Sequence, residues 1–140
     1  MQSRKKEGLS GAIDKAKNCP CGSNRTYQTC CGVLHQGGKA ESAEALMRSR
    51  YSAFVLEDEA YLKTSWHSTT RPESIPFDEE TKWLRLIVRE HYLGESENEA
   101  FVRYEARYSI HGKAHKLIEL SRFLIEEGAW RYVDGEIFDA

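Results

Sequence analysis

Four cysteines fall in the run Cys19-Pro20-Cys21-Gly22-Ser23-Asn24-Arg25-Thr26-Tyr27-Gln28-Thr29-Cys30-Cys31, and the chain holds no others. Thiolates are soft ligands, and four of them close together suit a tetrahedral, closed-shell Zn²⁺ with sulfur at about 2.3 Å. A disulfide framework is the weaker account. The start of the chain lacks the apolar core of a secretory signal, so a reducing compartment is expected, and adjacent Cys30 and Cys31 would pair only through a strained ring. The competing reading is four free or redox-active thiols beside basic residues.

The residues between the cysteines suit inward-turned sulfurs. Pro20 fixes its φ and Gly22 can take a positive one, so the chain can curl between Cys19 and Cys21. Ser23 is placed to cap a short helix that would end at Cys30 and Cys31, with Gly32 as its left-handed stop. So small a segment buries too little apolar area to hold itself, whereas structural zinc contributes an apparent ~10–16 kcal/mol in finger-sized peptides. The spacing C-x-C-x8-C-C, with Cys-Pro-Cys-Gly-Ser leading to Cys-Cys-Gly, resembles the SEC-C motif, the zinc-binding segment at the C-terminal end of the SecA translocation ATPase and in many bacterial proteins. That resemblance implies a structural Zn²⁺ on Cys19, Cys21, Cys30 and Cys31.

The rest of the chain must position this knuckle. Its 140 residues, 40% apolar and 30% charged, fit one folded domain with a small appendage and exclude two full-size domains or a low-complexity chain. No apolar run is long enough to cross a bilayer, so a cytoplasmic protein is expected. The net charge of −2 hides an asymmetry: residues 1–39 carry seven basic and two acidic residues (+5), residues 40–140 thirteen and twenty (−7). Such a basic arm either meets an anionic partner such as RNA or a ribosome, or is a solvated tail.

Beyond Gly37-Gly38 the apolar period is helical. Ala43, Leu46, Met47, Tyr51, Phe54 and Val55 predict a helix over Ala43–Leu56 capped by Ser42, and a second is expected over residues 57–64. From Trp83 the period becomes two. Leu84, Leu86 and Val88 alternate with Trp83, Arg85 and Ile87, and Val102, Tyr104, Ala106 and Tyr108 alternate with Phe101, Arg103, Glu105 and Arg107. Two further strands are expected near residues 116–125 and 129–134, joined by short turns rich in Gly. The expected fold class is therefore α+β, a curved antiparallel meander packed on helices.

This order of elements, with Leu46-Met47-Arg48-Ser49-Arg50-Tyr51-Ser52-Ala53-Phe54, Trp66-His67, Ser121-Arg122-Phe123 and Trp130-Arg131-Tyr132-Val133-Asp134-Gly135, resembles the YchJ-like family of uncharacterised bacterial proteins. The resemblance runs from Cys19 almost to the end. It implies a basic tail over residues 1–17, a SEC-C-like knuckle over 18–38 and a nuclear-transport-factor-2-like, or cystatin-like, cone over 39–140. Many members carry a second SEC-C motif after the cone; these residues hold one.

A cone of this kind often encloses a pocket. Arg50 lies on the apolar side of the first helix, and the third strand buries an ionisable group in either setting: with Ile118, Leu120 and Leu124 inward Arg122 follows, and with the opposite parity Glu119 does. Arg50, Trp66, His67, Glu119 and Arg122 are the candidate pocket, set against an internal network that ties helix to sheet. His67 is a candidate base or anion ligand, or a helix cap. His35 lies near the cysteines, but four sulfurs already fill a zinc shell. Gly-rich phosphate loops, G-x-S-x-G elbows and H-E-x-x-H helices are missing. The leading expectation is a cytosolic interaction module whose knuckle contacts a protein or ribosomal partner, by analogy with the SecA segment, which recruits a chaperone and contacts ribosomes or lipids. The other two are a small-molecule binder or enzyme using the cone, and RNA binding by the basic arm.

Overall fold

A computed structural model describes residues 17–138. The basic tail expected over residues 1–17 lies, apart from Lys17, outside them. After a 3-10 turn at Tyr27–Thr29 come α1 (Cys31–His35), α2 (Ala43–Leu56) and α3 (Glu59–Thr64), then β1 (Thr81–Leu93), β2 (Glu99–Ile110), β3 (Lys113–Glu126) and β4 (Ala129–Phe138). The strands form one antiparallel sheet in the order β1-β2-β3-β4, the α+β meander expected.

Helix α2 has the bounds its periodicity predicts. Ser42 Oγ accepts from the Ala45 amide at 3.1 Å, and Glu57 ends the helix in the left-handed region at φ 55°. That ending corrects the second helix: Glu57 is a stop, Asp58 Oδ1 caps the new start through the Tyr61 amide at 3.1 Å, and α3 begins at Glu59. Ser49, Arg50, Ser52 and Ala53 are buried as fully as Leu46 and Met47. The helix is enclosed on several sides, by the sheet, by α3 and by the knuckle, and its small residues stand where those elements close in.

The two tight hairpins, His111-Gly112 and Glu127-Gly128, each place two successive residues at positive φ, the turn whose twist matches paired strands. Irregularities between Trp83 and Arg85 and between Val88 and Glu90 curl the edge strand β1. The first corrects the expected alternation: Leu84 falls on the bulge and is 58% exposed, while Trp83 and Leu86 pack into the core. In β3 the parity is resolved in favour of Glu119, Ser121 and Phe123, all buried against the helices. Arg122 is turned to the outer face with Ile118, Leu120 and Leu124, where its Nε donates to Glu99 at 2.8 Å.

Candidate metal centre

The chain from Lys17 to Cys21 closes on itself before any helix forms. The Tyr27 amide donates to Lys17 O at 2.9 Å, the Cys19 amide to Arg25 O at 2.8 Å and the Gly22 amide to Cys19 O at 3.2 Å, with Gly22 at φ 86°. The helix expected from Ser23 to Cys31 does not form. A 3-10 turn ends at Cys30, whose φ −120° and ψ −111° break the chain direction, and α1 starts where the expected helix was to stop. The break lets two adjacent residues aim their sulfurs at one point. Gly32 is inside α1, not its stop, because a Cβ there would lie 2.7 Å from the Tyr27 carbonyl oxygen; Gly37, at φ 110°, follows the helix instead.

As a result the sulfurs of Cys19, Cys21, Cys30 and Cys31 all lie within 4.8 Å of one another, with Cys21 and Cys30 Sγ 3.6 Å apart. A tetrahedral metal with bonds of about 2.3 Å has sulfur–sulfur edges of about 3.8 Å, so the cage fits a single ion and leaves no open position for substrate. Cys19, Cys21 and Cys31 are buried and Cys30 is half-buried.

The surroundings favour negative sulfur. Cys30 Sγ is 3.1 Å from Ser23 Oγ and accepts from Arg25 Nη2 at 3.6 Å, and Cys19 Sγ is 3.5 Å from Ser52 Oγ. Hydrogen bonding from Cys21 and then Cys31 holds the Cys19 thiol far below its ordinary value. The same contacts push Cys21 and Cys31 up, through the hydrogen bond with Cys19 first, with burial adding to it. A divalent cation is what lets every sulfur lose its proton.

Three contacts tie this cage to α2. Arg48 Nη1 donates to Cys21 O at 3.0 Å while its Nε holds Glu44 at 3.0 Å. His35 Nε2 donates to the Ser49 carbonyl at 2.8 Å, which assigns the proton to that nitrogen and leaves Nδ1 to accept from Tyr27 OH at 2.6 Å. Ser49 Oγ donates to Leu46 O at 2.7 Å and so accepts from Tyr61 OH at 2.6 Å. The clasp Tyr27–His35–Ser49–Tyr61 went unread in the sequence. Its one signal was the four-residue step from Cys31 to His35, both in α1, which sets an imidazole on the cysteine side of that helix.

The pocket candidates divide into two groups. Arg50, Trp66 and Glu119 meet in the interior. Arg50 is 4% exposed, donates through Nη1 to Leu62 O at 2.8 Å and Ser65 Oγ at 2.7 Å, and places its guanidinium 4.8 Å from the Trp66 ring centre and 4.5 Å from that of Tyr132. Burial brings its pKa down to about 10, so it remains a cation. Glu119 accepts from Tyr104 OH and Tyr132 OH at 3.0 Å each and from Ser121 Oγ at 2.8 Å. Tyr132 thus joins the two charges. His67 and Arg122 are elsewhere: His67 Nδ1 accepts from the Thr69 amide at 3.2 Å and its Nε2 faces Glu126 at 4.0 Å, a local turn, while Arg122 is on the outer face. Arg122 lines a groove of about 290 Å³ on the outer face, and two further grooves are lined by none of the five candidates. One of about 410 Å³ lies among α1, α3 and the β3–β4 turn, and one of about 530 Å³ between the end of α2 and β1.

Two family models match the chain: "YchJ, middle NTF2-like domain" over residues 42–135 and "SEC-C motif" over residues 17–32. A UPF0225 protein of Cupriavidus metallidurans is 46% identical over 126 residues, which cover 85% of this chain and 88% of that one. Another from Streptomyces avermitilis is 44% identical, over 87% of this chain and 86% of its own. Among solved structures, a SEC-C motif containing protein from Rhodopseudomonas palustris superposes with a TM-score of 0.75 at 34% identity, covering 88% of this chain and 100% of that chain. One from Psychrobacter arcticus gives 0.71 at 26% identity, covering 90% and 85%.

Proposed function

We propose, given that this chain belongs to the YchJ-like family of UPF0225 proteins, that it is a cytoplasmic zinc-binding interaction module: the SEC-C knuckle holds structural Zn²⁺ and presents a surface to a protein or ribosomal partner. The observation that carries the reading is the closed cage of four sulfurs, which has the ligand type and size for zinc and no place for a reacting group. The absence of any membrane-crossing helix among the described residues is compatible with the cytoplasm.

The metal makes the knuckle rigid, and the clasp to α2 fixes its orientation. The residues left outward include Lys17, Asn24, Arg25, Gln28, Thr29 and the half-exposed Val33, a mix of basic, polar and apolar groups of the kind partners use. The test substitutes this surface and spares the cage. Val33→Asp with Lys17→Glu should keep one zinc per chain, by elemental analysis, yet lose a partner that the parent protein retains in crosslinked pull-downs from its native cytosol. Equal retention by both proteins would remove the knuckle surface from the account.

A further inference from the structure

Among the described residues no helix covers the outer face of the sheet, and its charges are unevenly placed. The register sets Arg85 opposite Arg107 and Arg107 opposite Lys116, a row of three cations across three neighbouring strands. Like charges directly opposite each other destabilise a sheet, so the row is kept at a cost to the fold. Lys82, opposite Ser109, and Arg89 extend the patch along β1. The acid within it, Glu105, is 4% exposed and already shared by Arg107 Nε at 2.6 Å and Arg89 Nη2 at 3.1 Å. Ion pairs between described residues leave Arg85 and Lys116 without a carboxylate.

The same face carries apolar and aromatic groups further along. Ile87, Ile118 and Phe138 share a row with Glu105; the next row sets Arg103 between Glu90 and Leu120, with Glu136 at its end, and beyond it Tyr92 stacks on Phe101 with ring centres 5.4 Å apart, Tyr92 being 46% exposed. From Arg107 to Phe101 is six steps of β2, about 20 Å. We infer that this face binds single-stranded nucleic acid, with phosphates on the Arg85–Arg107–Lys116 row and bases laid toward the Tyr92–Phe101 stack. Guanidinium groups match phosphate oxygens in their planar fork, and a flat aromatic surface accepts bases of any identity. An acidic peptide or an anionic bilayer would satisfy the cations and leave the aromatic stack without a role. The inference is independent of the zinc site's function and of the basic residues before Lys17.

The experiment is fluorescence anisotropy of a labelled oligouridylate of about twelve nucleotides with the zinc-loaded full chain, between about 50 and 200 mM salt. With about four phosphate contacts, log affinity should fall against log salt with a slope of about −3. Arg85→Gln with Lys116→Gln should weaken binding roughly tenfold and make the slope shallower by about 1.4, while the thermal midpoint does not fall, because a repulsive row has been neutralised. Tyr92→Ala should weaken binding with the slope unchanged, the mark of a stacked base. A deoxythymidylate of equal length separates RNA from DNA as the source of phosphate. The inference is overturned if the double variant binds as the parent does, or if its midpoint drops. It is equally overturned if Arg4→Gln with Lys5→Gln and Lys6→Gln abolishes binding in its place, or if polyglutamate or phosphatidylserine vesicles bind as tightly as the oligonucleotide.

Discussion

At the scale of single residues, the buried polar side chains Ser49, Arg50, Ser52, Ser65, Glu105, Glu119 and Ser121 each have a named partner, and the close fits around them give the sharpest expectations. Gly135 lies opposite Ser121, where a methyl group would overlap the Glu119 carboxylate that three hydroxyls hold in place. Gly135→Ala should therefore lower stability by about 1–3 kcal/mol. In the background of Glu119→Ala the same change should cost far less, and denaturant unfolding of the two single variants and the double variant measures that coupling. The second expectation concerns Glu105. Hydrogen bonds from Arg107 and then Arg89 hold its carboxyl below the ordinary 4.5. A depressed carboxylate stabilises the fold above its unfolded value, and that contribution is lost as pH falls through the folded one. Stability should thus decline on acidification below about pH 4.5, and Glu105→Gln should flatten this part of the profile; an unchanged profile in acid titration would show that the clamp carries nothing.

At the scale of elements, the knuckle is shaped by close approach as much as by ligands. A side chain at Gly32 would meet the Tyr27 carbonyl and ring, and Tyr27 OH is the first link of the clasp to α2. Gly32→Ala should move Tyr27 and weaken zinc retention in chelator competition, while Tyr27→Phe, which removes a single hydrogen bond, should cost about 0.5–1.5 kcal/mol and keep the metal. Equal losses from both would mean that the clasp, not the backbone path, builds the cage. The contrast also explains what was legible beforehand. Helix α2 was readable to the residue because a serine cap and apolar steps act locally, and the four strands because period two is local as well. The knuckle helix was misplaced because its geometry answers to four converging sulfurs, a constraint between residues nine and more apart. Leu84 was misread because a bulge reverses the faces of a strand without changing its composition. Arg122 and Glu119 could not be separated at all, since both faces of β3 mix apolar residues with charged ones.

At the scale of the molecule, the cage and the cone share one interior. Cys19, Cys21 and Cys31 belong to the same core as Leu46, Met47, Tyr51, Leu86, Val102 and Phe123. A structural zinc in this cage would be worth about as much as the whole net stability of a small domain, so its loss would be felt throughout. The three tryptophans, Trp66, Trp83 and Trp130, all lie outside the knuckle and report the body alone. Adding a chelator should shift their thermal transition to lower temperature; an unmoved transition would make the knuckle an independent appendage. The charged interior of Arg50, Tyr132 and Glu119 then reads as the joint between α2, α3 and the sheet, closed by aromatic faces. The knuckle's part in this rests on sulfur closing around one ion. X-ray absorption at the zinc edge of freshly purified, reduced protein tests it most directly: the account predicts one zinc per chain with four sulfur neighbours at about 2.3 Å, and it is contradicted by a chain without zinc or by a shell containing nitrogen or oxygen.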